Sequence, residues 1–386
     1  MPTPPDASLR NDAPRSRALR TLRGWVKDGV WAPGEMIPAE REISTRLGVG
    51  LGTVQRAIKV MEREGLIVKH PGRTRTVARP ADADRGVLAG AVLVLSEVAD
   101  VQGDPAAYGW AGYVDSGVLN GLAGQQVHGM VLDPRSLDDA TFERMVASGP
   151  LGLIVPELDA SDVDWMKWAQ RAAAAKLPVV VFGDEAGCEA FDRVVPDHQA
   201  GAFELAQWLI AQGRRDIHQM MPTGPTRRWA LARRRGYEQA LHAAGLTPAE
   251  PLLFAEGEFP GLSVVESSRM LAQTLAGALA PLALRGAPFD ALMALTDGNV
   301  PALAAALKLL GRTPNTDVAL VGYDDYWDQA PSREADPTPP LATVSKNNFQ
   351  IGRELAALLL QRRGNQLPAE PQLRLVKPTL RVRTAW

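Results

Sequence analysis

The sequence predicts an α/β protein with a small winged helical module at its amino terminus and a two-lobed, Rossmann-like parallel-sheet body behind it. Three observations predict this. Apolar runs of strand length alternate with helical stretches from about residue 87 to 362, the pattern of a parallel sheet with crossover helices. That body of about three hundred residues exceeds one ordinary sheet, which implies two lobes. The charge is also unevenly spread. Arg10 to Arg79 hold 15 Lys and Arg against 7 Asp and Glu, leaving 27 against 37 elsewhere, so a net charge of -2 conceals a basic head on an acidic body. Such asymmetry points to a local polyanion site or to a solvated basic face.

Residues 1–15 are polar and Pro-rich and read as a disordered tail without a signal peptide. No run reaches the ~20 apolar residues that span a bilayer. Cys188 is the single cysteine, which excludes a disulfide framework or a cysteine metal cluster and fits a reducing, cytoplasmic setting.

The module occupies residues 16–79. Ser16 can cap a first helix with Leu19, Leu22 and Val26 on one stripe, ended by Gly29 and Pro33-Gly34. A second helix starts near Ala39, with Glu40 and Glu42 in its first turn and Ile43 and Leu47 inward. Gly48 suits the left-handed position at its end, and Val49 plugs the turn. Thr53 lies near the start of a third helix with Val54, Ala57, Ile58 and Met61 inward, leaving Thr53, Gln55, Arg56 and Lys59 outward. Leu66 to Val68 and Thr74 to Val77, turned at Pro71-Gly72, form a hairpin carrying Lys69, His70, Arg73, Arg75 and Arg79. Two helices, a glycine-containing turn and a basic hairpin describe a winged helix-turn-helix. A polar linker covers 80–86.

In the body, strands are expected at 87–95, 128–132, 151–155, 179–182, 217–221, 251–254, 291–295 and 318–321. Helices are expected at 108–123, 138–147, 165–175, 201–211, 234–244, 268–284, 300–310 and 352–362. Ligands of such folds bind at the carboxyl ends of the strands, between the lobes. Tyr108, Trp110 and Tyr113 follow the first strand there, as stacking faces or as packing.

Pro38-Ala39-Glu40-Arg41-Glu42, Leu47-Gly48-Val49, Thr53-Val54, Glu64-Gly65-Leu66 and Gly72-Arg73 resemble the GntR-type winged helix-turn-helix over residues 16–79. The resemblance implies a homodimer reading a pseudo-palindromic double-stranded DNA operator with its recognition helices in successive major grooves. The DNA-reading positions are then Arg41, Gly50, Leu51, Thr53, Gln55, Arg56, Lys59, His70, Gly72, Arg73 and Arg75. Several depart from the pattern. Gly50 and Leu51 replace a Ser/Thr-Arg pair, Gln55 replaces an arginine, Ala39 a serine and Thr74 the second wing glycine. Gln55 can pair bidentately with adenine, so the operator would differ from the usual one. Arg41 has an intrahelical ion pair as its alternative, and Thr53 a helix cap.

Val194 to Asp197 with Gly201, Gly213 to Ile217, Arg233 with Gly236-Tyr237, Thr296-Asp297, Val318 to Asp325, Pro339 to Val344 and Gly352-Arg353 resemble the LacI/GalR effector domain, related to periplasmic sugar-binding proteins. The resemblance covers nearly all of 87–386. It implies lobes of about 87–190 with 325–342 and 191–322 with 343–386, joined by three crossovers. Effector contacts would fall at Asp197, Arg233, Asp297 and Asp324, beside Tyr108 and Trp110. Carboxylates and a guanidinium suit the hydroxyls of a sugar or sugar derivative. Asp297 has a helix N-cap as its alternative and Arg233 a surface charge. Thr296 and His198 replace the usual asparagines.

The implied protein is a ligand-responsive transcriptional regulator, most simply a repressor, and not an enzyme. His70, His128, His198, His218 and His242 show no metal-ligand spacing, and neither a nucleophile elbow nor a phosphate loop occurs. No cofactor or membrane partner is expected. The alternatives are a ligand-binding module with weakened DNA reading and, last, an enzyme.

Overall fold

The structure, a computed structural model, describes residues 14–32, 34–69, 75–77, 88–96, 109–156, 164–223, 227–254, 261–284 and 289–383. The expected tail up to residue 13, the linker 80–86, and His70, Gly72, Arg73 and Tyr108 lie outside them. The chain forms two compact units.

The amino-terminal unit comprises α1 (Pro14–Lys27), α2 (Glu40–Leu47), α3 (Leu51–Arg63), β1 (Ile67–Lys69) and β2 (Arg75–Val77). Leu22, Trp31, Ile37, Ile43, Val54, Ala57, Ile58 and Met61 are buried together with Ile67 and Val77, so the 3.6-residue stripes converge on one core. Two local expectations change. Helix α1 begins at Pro14, whose fixed φ suits a first turn, so Ser16 lies inside the helix and does not cap it. Gly50, in extended backbone, is the N-cap of α3, which places Thr53 in the first turn without a capping role. Gly48 does adopt the left-handed conformation, φ 62°, its N–H facing the carbonyls of Ser44 and Thr45. The wing pairs Ile67 with Val77 and Lys69 with Arg75. A third piece joins it: Ile37 N–H donates to Arg75 and Val77 N–H to Glu35, with Met36 bridged to Thr76.

The body contains two six-stranded sheets. The first is ordered β13-β7-β6-β5-β3-β4, from β3 (Ala91–Leu95), β4 (His128–Leu132), β5 (Gly152–Val155), β6 (Val179–Phe182), β7 (Asp192–Pro196) and β13 (Leu373–Val376). The second is ordered β14-β12-β11-β10-β8-β9, from β8 (Ile217–Pro222), β9 (Leu252–Phe254), β10 (Ala291–Met293), β11 (Ala319–Val321), β12 (Ala342–Ser345) and β14 (Thr379–Val382). Only β14 runs antiparallel to its neighbour. Helices α4 (Gly109–Ala123), α5 (Asp139–Ala147), α6 (Trp165–Ala174) and α11 (Asn348–Arg363) serve the first lobe. The second takes α7 (His198–Ala211), α8 (Arg228–Ala243), α9 (Val264–Leu284) and α10 (Val300–Leu309).

The chain passes between lobes three times, after β7, β12 and β13. The expected segment boundaries are corrected at both junctions: Asp192–Pro196, expected in the second lobe, is β7 of the first, because it pairs with β6. Residues 325–345 stay with the second lobe, because β12 pairs with β11. Helix α11 and β13 belong to the first, because Ile351, Leu355 and Leu359 pack on Val92, Ile154 and Val180. Close approach holds α11 against α4: a Cβ at Gly352 would overlap the carbonyl of Val114.

Candidate functional site

On the amino-terminal unit, α3 buries Val54, Ala57, Ile58 and Met61 and exposes Leu51, Gly52, Gln55, Arg56 and Lys59, with Thr53 half-buried. A helix with one apolar stripe leaves its polar face outward, so these residues form the exposed face of α3. Arg41, exposed in the first turn of α2, forms no ion pair among the described residues, and neither do Arg56 and Lys59. The intrahelical pair considered for Arg41 is therefore not made.

Two other expected contacts are engaged within the fold. Arg75 donates to Glu62 at 2.5 Å and to Glu40 at 3.0 Å, and Gln55 donates to the second oxygen of Glu40 at 3.0 Å. Glu40 thereby ties α2 to α3 and to the wing. Gln55 must leave it to reach a base, and Arg75 serves the packing of the wing.

In the body, the carboxyl ends of the parallel strands bring together residues far apart in sequence. Arg233, on α8, is 4 % exposed, so it is no surface charge. Its guanidinium donates to the Leu295 carbonyl at 2.7 Å, to Asp324 at 3.1 Å and to Nδ1 of His198 at 3.3 Å. Its Cζ lies 3.6 Å from the Tyr323 ring centroid and 4.6 Å from that of Trp229. Desolvated cation–π contacts of this kind are worth about 2 kcal/mol or more.

Asp324 also faces Lys346 at 3.5 Å, and its backbone holds φ 89°, a conformation that side chains other than glycine rarely adopt. Burial pushes the Tyr323 hydroxyl up, so it stays protonated. Burial, then Arg233 and Lys346, hold His198 well below the usual imidazole range.

Cavities adjoin this cluster on two sides. One, about 210 Å³, is lined by Asp184, Asp197, His198, Trp229 and Arg235. Another, about 380 Å³, is lined by Asp324, Tyr326, Asn347, Phe349 and Tyr113 of α4. Asp197 keeps its place at the first crossing by capping α7, accepting from Ala200 N–H at 2.9 Å. Tyr113 faces the larger cavity; Trp110 is the second residue of α4.

Asp297 lies close to Asp324 but lines neither cavity. It is fully buried, accepting from the Thr343 hydroxyl at 2.7 Å and from the N–H groups of Tyr326 and Trp327 at 2.9 and 3.1 Å. Its carboxylate fastens the loop after β11 to β12 and presents nothing to a ligand. The helix-cap alternative also fails, because Thr296 caps the short helix 297–299. Trp327 packs in the second lobe's core.

Sequence reasoning missed Tyr323 and Lys346 and noted His198 only as a departure. Lys346 carried a usable signal, as a lysine directly after an apolar strand at the cleft end of a parallel sheet. Tyr323 carried none, since an aromatic after β11 reads equally as core. Cys188 is buried, its thiol pushed up to about 11 by burial, which suits packing. Among the described residues no cluster of His, Cys, Asp or Glu could hold a metal ion, and no helix is long and apolar enough to cross a membrane.

Comparison with known proteins assigns both parts. Residues 14–77 match the model of the bacterial regulatory proteins of the gntR family, and residues 206–385 that of the periplasmic binding protein-like domain. The HTH-type transcriptional regulator CelR of Thermobifida fusca is 29 % identical over 357 residues, covering 88 % of each chain. The arabinose metabolism transcriptional repressor of Geobacillus stearothermophilus is 23 % identical over 353 residues, again 88 % of each. A solved transcriptional regulator CelR-cellobiose complex superposes with a TM-score of 0.55 at 23 % identity, covering 90 % of this chain and 99 % of that one. The chain is thus a ligand-responsive DNA-binding transcriptional regulator in which a GntR-type winged helix-turn-helix is joined to a periplasmic-binding-protein-like effector domain.

Proposed function

We propose that this regulator is a homodimeric repressor that takes a small carbohydrate into the cleft around Arg233 and Asp324, and that lobe closure repositions the recognition helices on a pseudo-palindromic operator. The observation that carries the reading is the burial of Arg233 against two aromatic rings, with Asp324 and His198 as its partners. A guanidinium fixed on all sides holds the surrounding donors and acceptors in place before a ligand arrives, which lowers the ordering cost of binding. The names of the relatives support the ligand class: one is solved with cellobiose and another governs arabinose metabolism. An effector alters operator affinity only through its preference for one lobe arrangement. Both lobes contribute to the cavity walls, so a ligand there bears on that arrangement.

The test is titration of intrinsic fluorescence with a panel of sugars, paired with operator binding in their presence. Trp229 lies against Arg233, so a saturable change that tracks release from DNA is expected. A sugar that binds without altering operator affinity overturns the regulatory coupling.

The reading head gives a separate prediction. Arg41→Ala and Arg56→Ala are each expected to weaken operator binding by about tenfold or more and to lower the salt slope by about one, as loss of a phosphate contact does. Effector titrations of the variants should overlay the wild type. A second reading, a sensor whose head no longer reads sequence, is favoured by the retention of Gln55 and Arg75 by Glu40. Selection from random DNA at fixed salt separates the two: an enriched pair of half-sites removes it.

A further inference from the structure

His198 begins α7, directly after the first interlobe crossing. Its Nδ1 accepts from the Arg233 Nε–H at 3.3 Å. A guanidinium N–H can only donate, so Nδ1 carries no proton and the ring's single proton sits on Nε2. The groups facing the ring come from several elements. Arg233 and Trp229 belong to α8, Tyr323 and Asp324 follow β11, Lys346 follows β12, and Asp197 precedes the ring in sequence. The Trp229 and Tyr323 centroids lie 6.2 and 6.1 Å away. The two cations and burial oppose a second proton. Asp324 is committed to Arg233 and Lys346, and Asp197 accepts from Ala200. No described group accepts from Nε2, while the ring lines the 210 Å³ cavity.

We propose that His198 is a specificity-determining residue: Arg233 locks it as the neutral Nε2–H tautomer, and it donates to a hydroxyl or ring oxygen of an uncharged carbohydrate, not of a phosphorylated or carboxylated one. The inference rests on the carbohydrate reading above and narrows it. Charge supplies the discrimination. Arg233 and Lys346 are already matched by Asp324. Around the cavity Asp184, Glu185 and Asp197 outnumber Arg193 and Arg235, and Arg193 faces Asp184 at 3.7 Å. An anionic ligand would meet three carboxylates there against Arg235, the one lining cation that pairs with no carboxylate among the described residues, whereas hydroxyls pair with the carboxylates as donors and with His198 as acceptor. A neutral donor of fixed tautomer also makes recognition insensitive to pH across the range where an ordinary histidine titrates.

The experiment uses full-length protein labelled with nitrogen-15 at histidine. The expected His198 resonances show Nδ1 bare and Nε2 protonated throughout pH 5.5–8. Uncharged mono- and disaccharides, including arabinose and cellobiose, are titrated beside glucose 6-phosphate. A binding sugar is expected to shift the Nε2 resonance with an affinity flat over that range. His198→Phe should weaken it by about tenfold or more, and His198→Gln, which keeps an N–H of similar reach, should recover part of the loss. Titration of His198 near pH 6.5, a proton on Nδ1, equal sugar affinity in His198→Phe, or tighter binding of the phosphorylated sugar overturns the proposal alone. No response to any sugar removes the carbohydrate reading and the proposal with it.

Discussion

Replacing Asp297 by Ala is expected to destabilise the second lobe by about 3–5 kcal/mol, because it leaves three buried donors without an acceptor. The Thr343 hydroxyl and the Tyr326 and Trp327 N–H groups converge on this one carboxylate, at a site with no access to water. The loop they hold carries Asp324, so the loss is expected to reach the effector site as well. Asp297→Asn keeps one oxygen for the two backbone donors, and the Thr343 hydroxyl can turn to accept from the new amide. It is expected to cost about 1 kcal/mol. Equal unfolding midpoints for Asp297→Ala and wild type in denaturant would sink this account.

The same residue gives stability a pH dependence of definite sign. Burial, aided by the nearby Asp324, pushes the Asp297 carboxyl up to about 7, from 3.8 in an unfolded chain. Between these values the folded state binds more proton than the unfolded one, so this group's contribution is fullest below pH 3.8 and is lost as pH rises to about 7. Relative to Asp297→Asn, the wild type should therefore be more stable at pH 5 than at pH 8. Unfolding midpoints of both proteins at the two values check it.

Asp297 also marks how far the sequence could be read. The strands with continuous apolar runs, such as Val179–Phe182, were legible because both faces are buried. Strands β13 and β14 were not, since Leu373–Val376 and Thr379–Val382 are edge strands whose side chains, Val376 apart, are exposed or half-buried and include Arg374 and Arg381. Strand β7 was hidden by Asp192 and Arg193 at its start: Asp192 is buried because Arg362, 170 residues later, and the Gln372 N–H both donate to it. The first turns of α8 were obscured by Arg227 and Arg228, which read as loop. The lobe boundaries depended on those strands and were misplaced with them. At the site, residue type was informative and environment was not. The sequence marked Arg233, Asp297 and Asp324 alike; only the fold separates a carboxylate that faces the cavity from one buried beneath it.

The second large effect is expected at Arg233. Its removal in Arg233→Ala takes away the ion-pair partner of Asp324 at 3.1 Å, an acceptor's donor at Leu295, and the group on which Trp229 and Tyr323 stack. Asp324 is left with Lys346 at 3.5 Å. Breaking a buried pair from one side costs about 3–5 kcal/mol, most of it from the charge left behind. Affinity for the effector should fall on the order of 100-fold, since three neighbouring groups lose the element that orients them. Arg233→Lys is expected to recover little: an ammonium lacks the planar fork that donates in three fixed directions here. Asp324→Ala should give the same loss of response from the other side. If Arg233 and Asp324 act as one unit, the double variant will lose no more than the worse single one. In all of these, operator binding by the amino-terminal unit should persist, so the expected phenotype is repression that the effector cannot relieve. A wild-type response midpoint in Arg233→Ala would remove Arg233 from the effector site. Loss of operator binding in Arg233→Lys as well would show that its role is to hold the body folded, with no separate part in sensing.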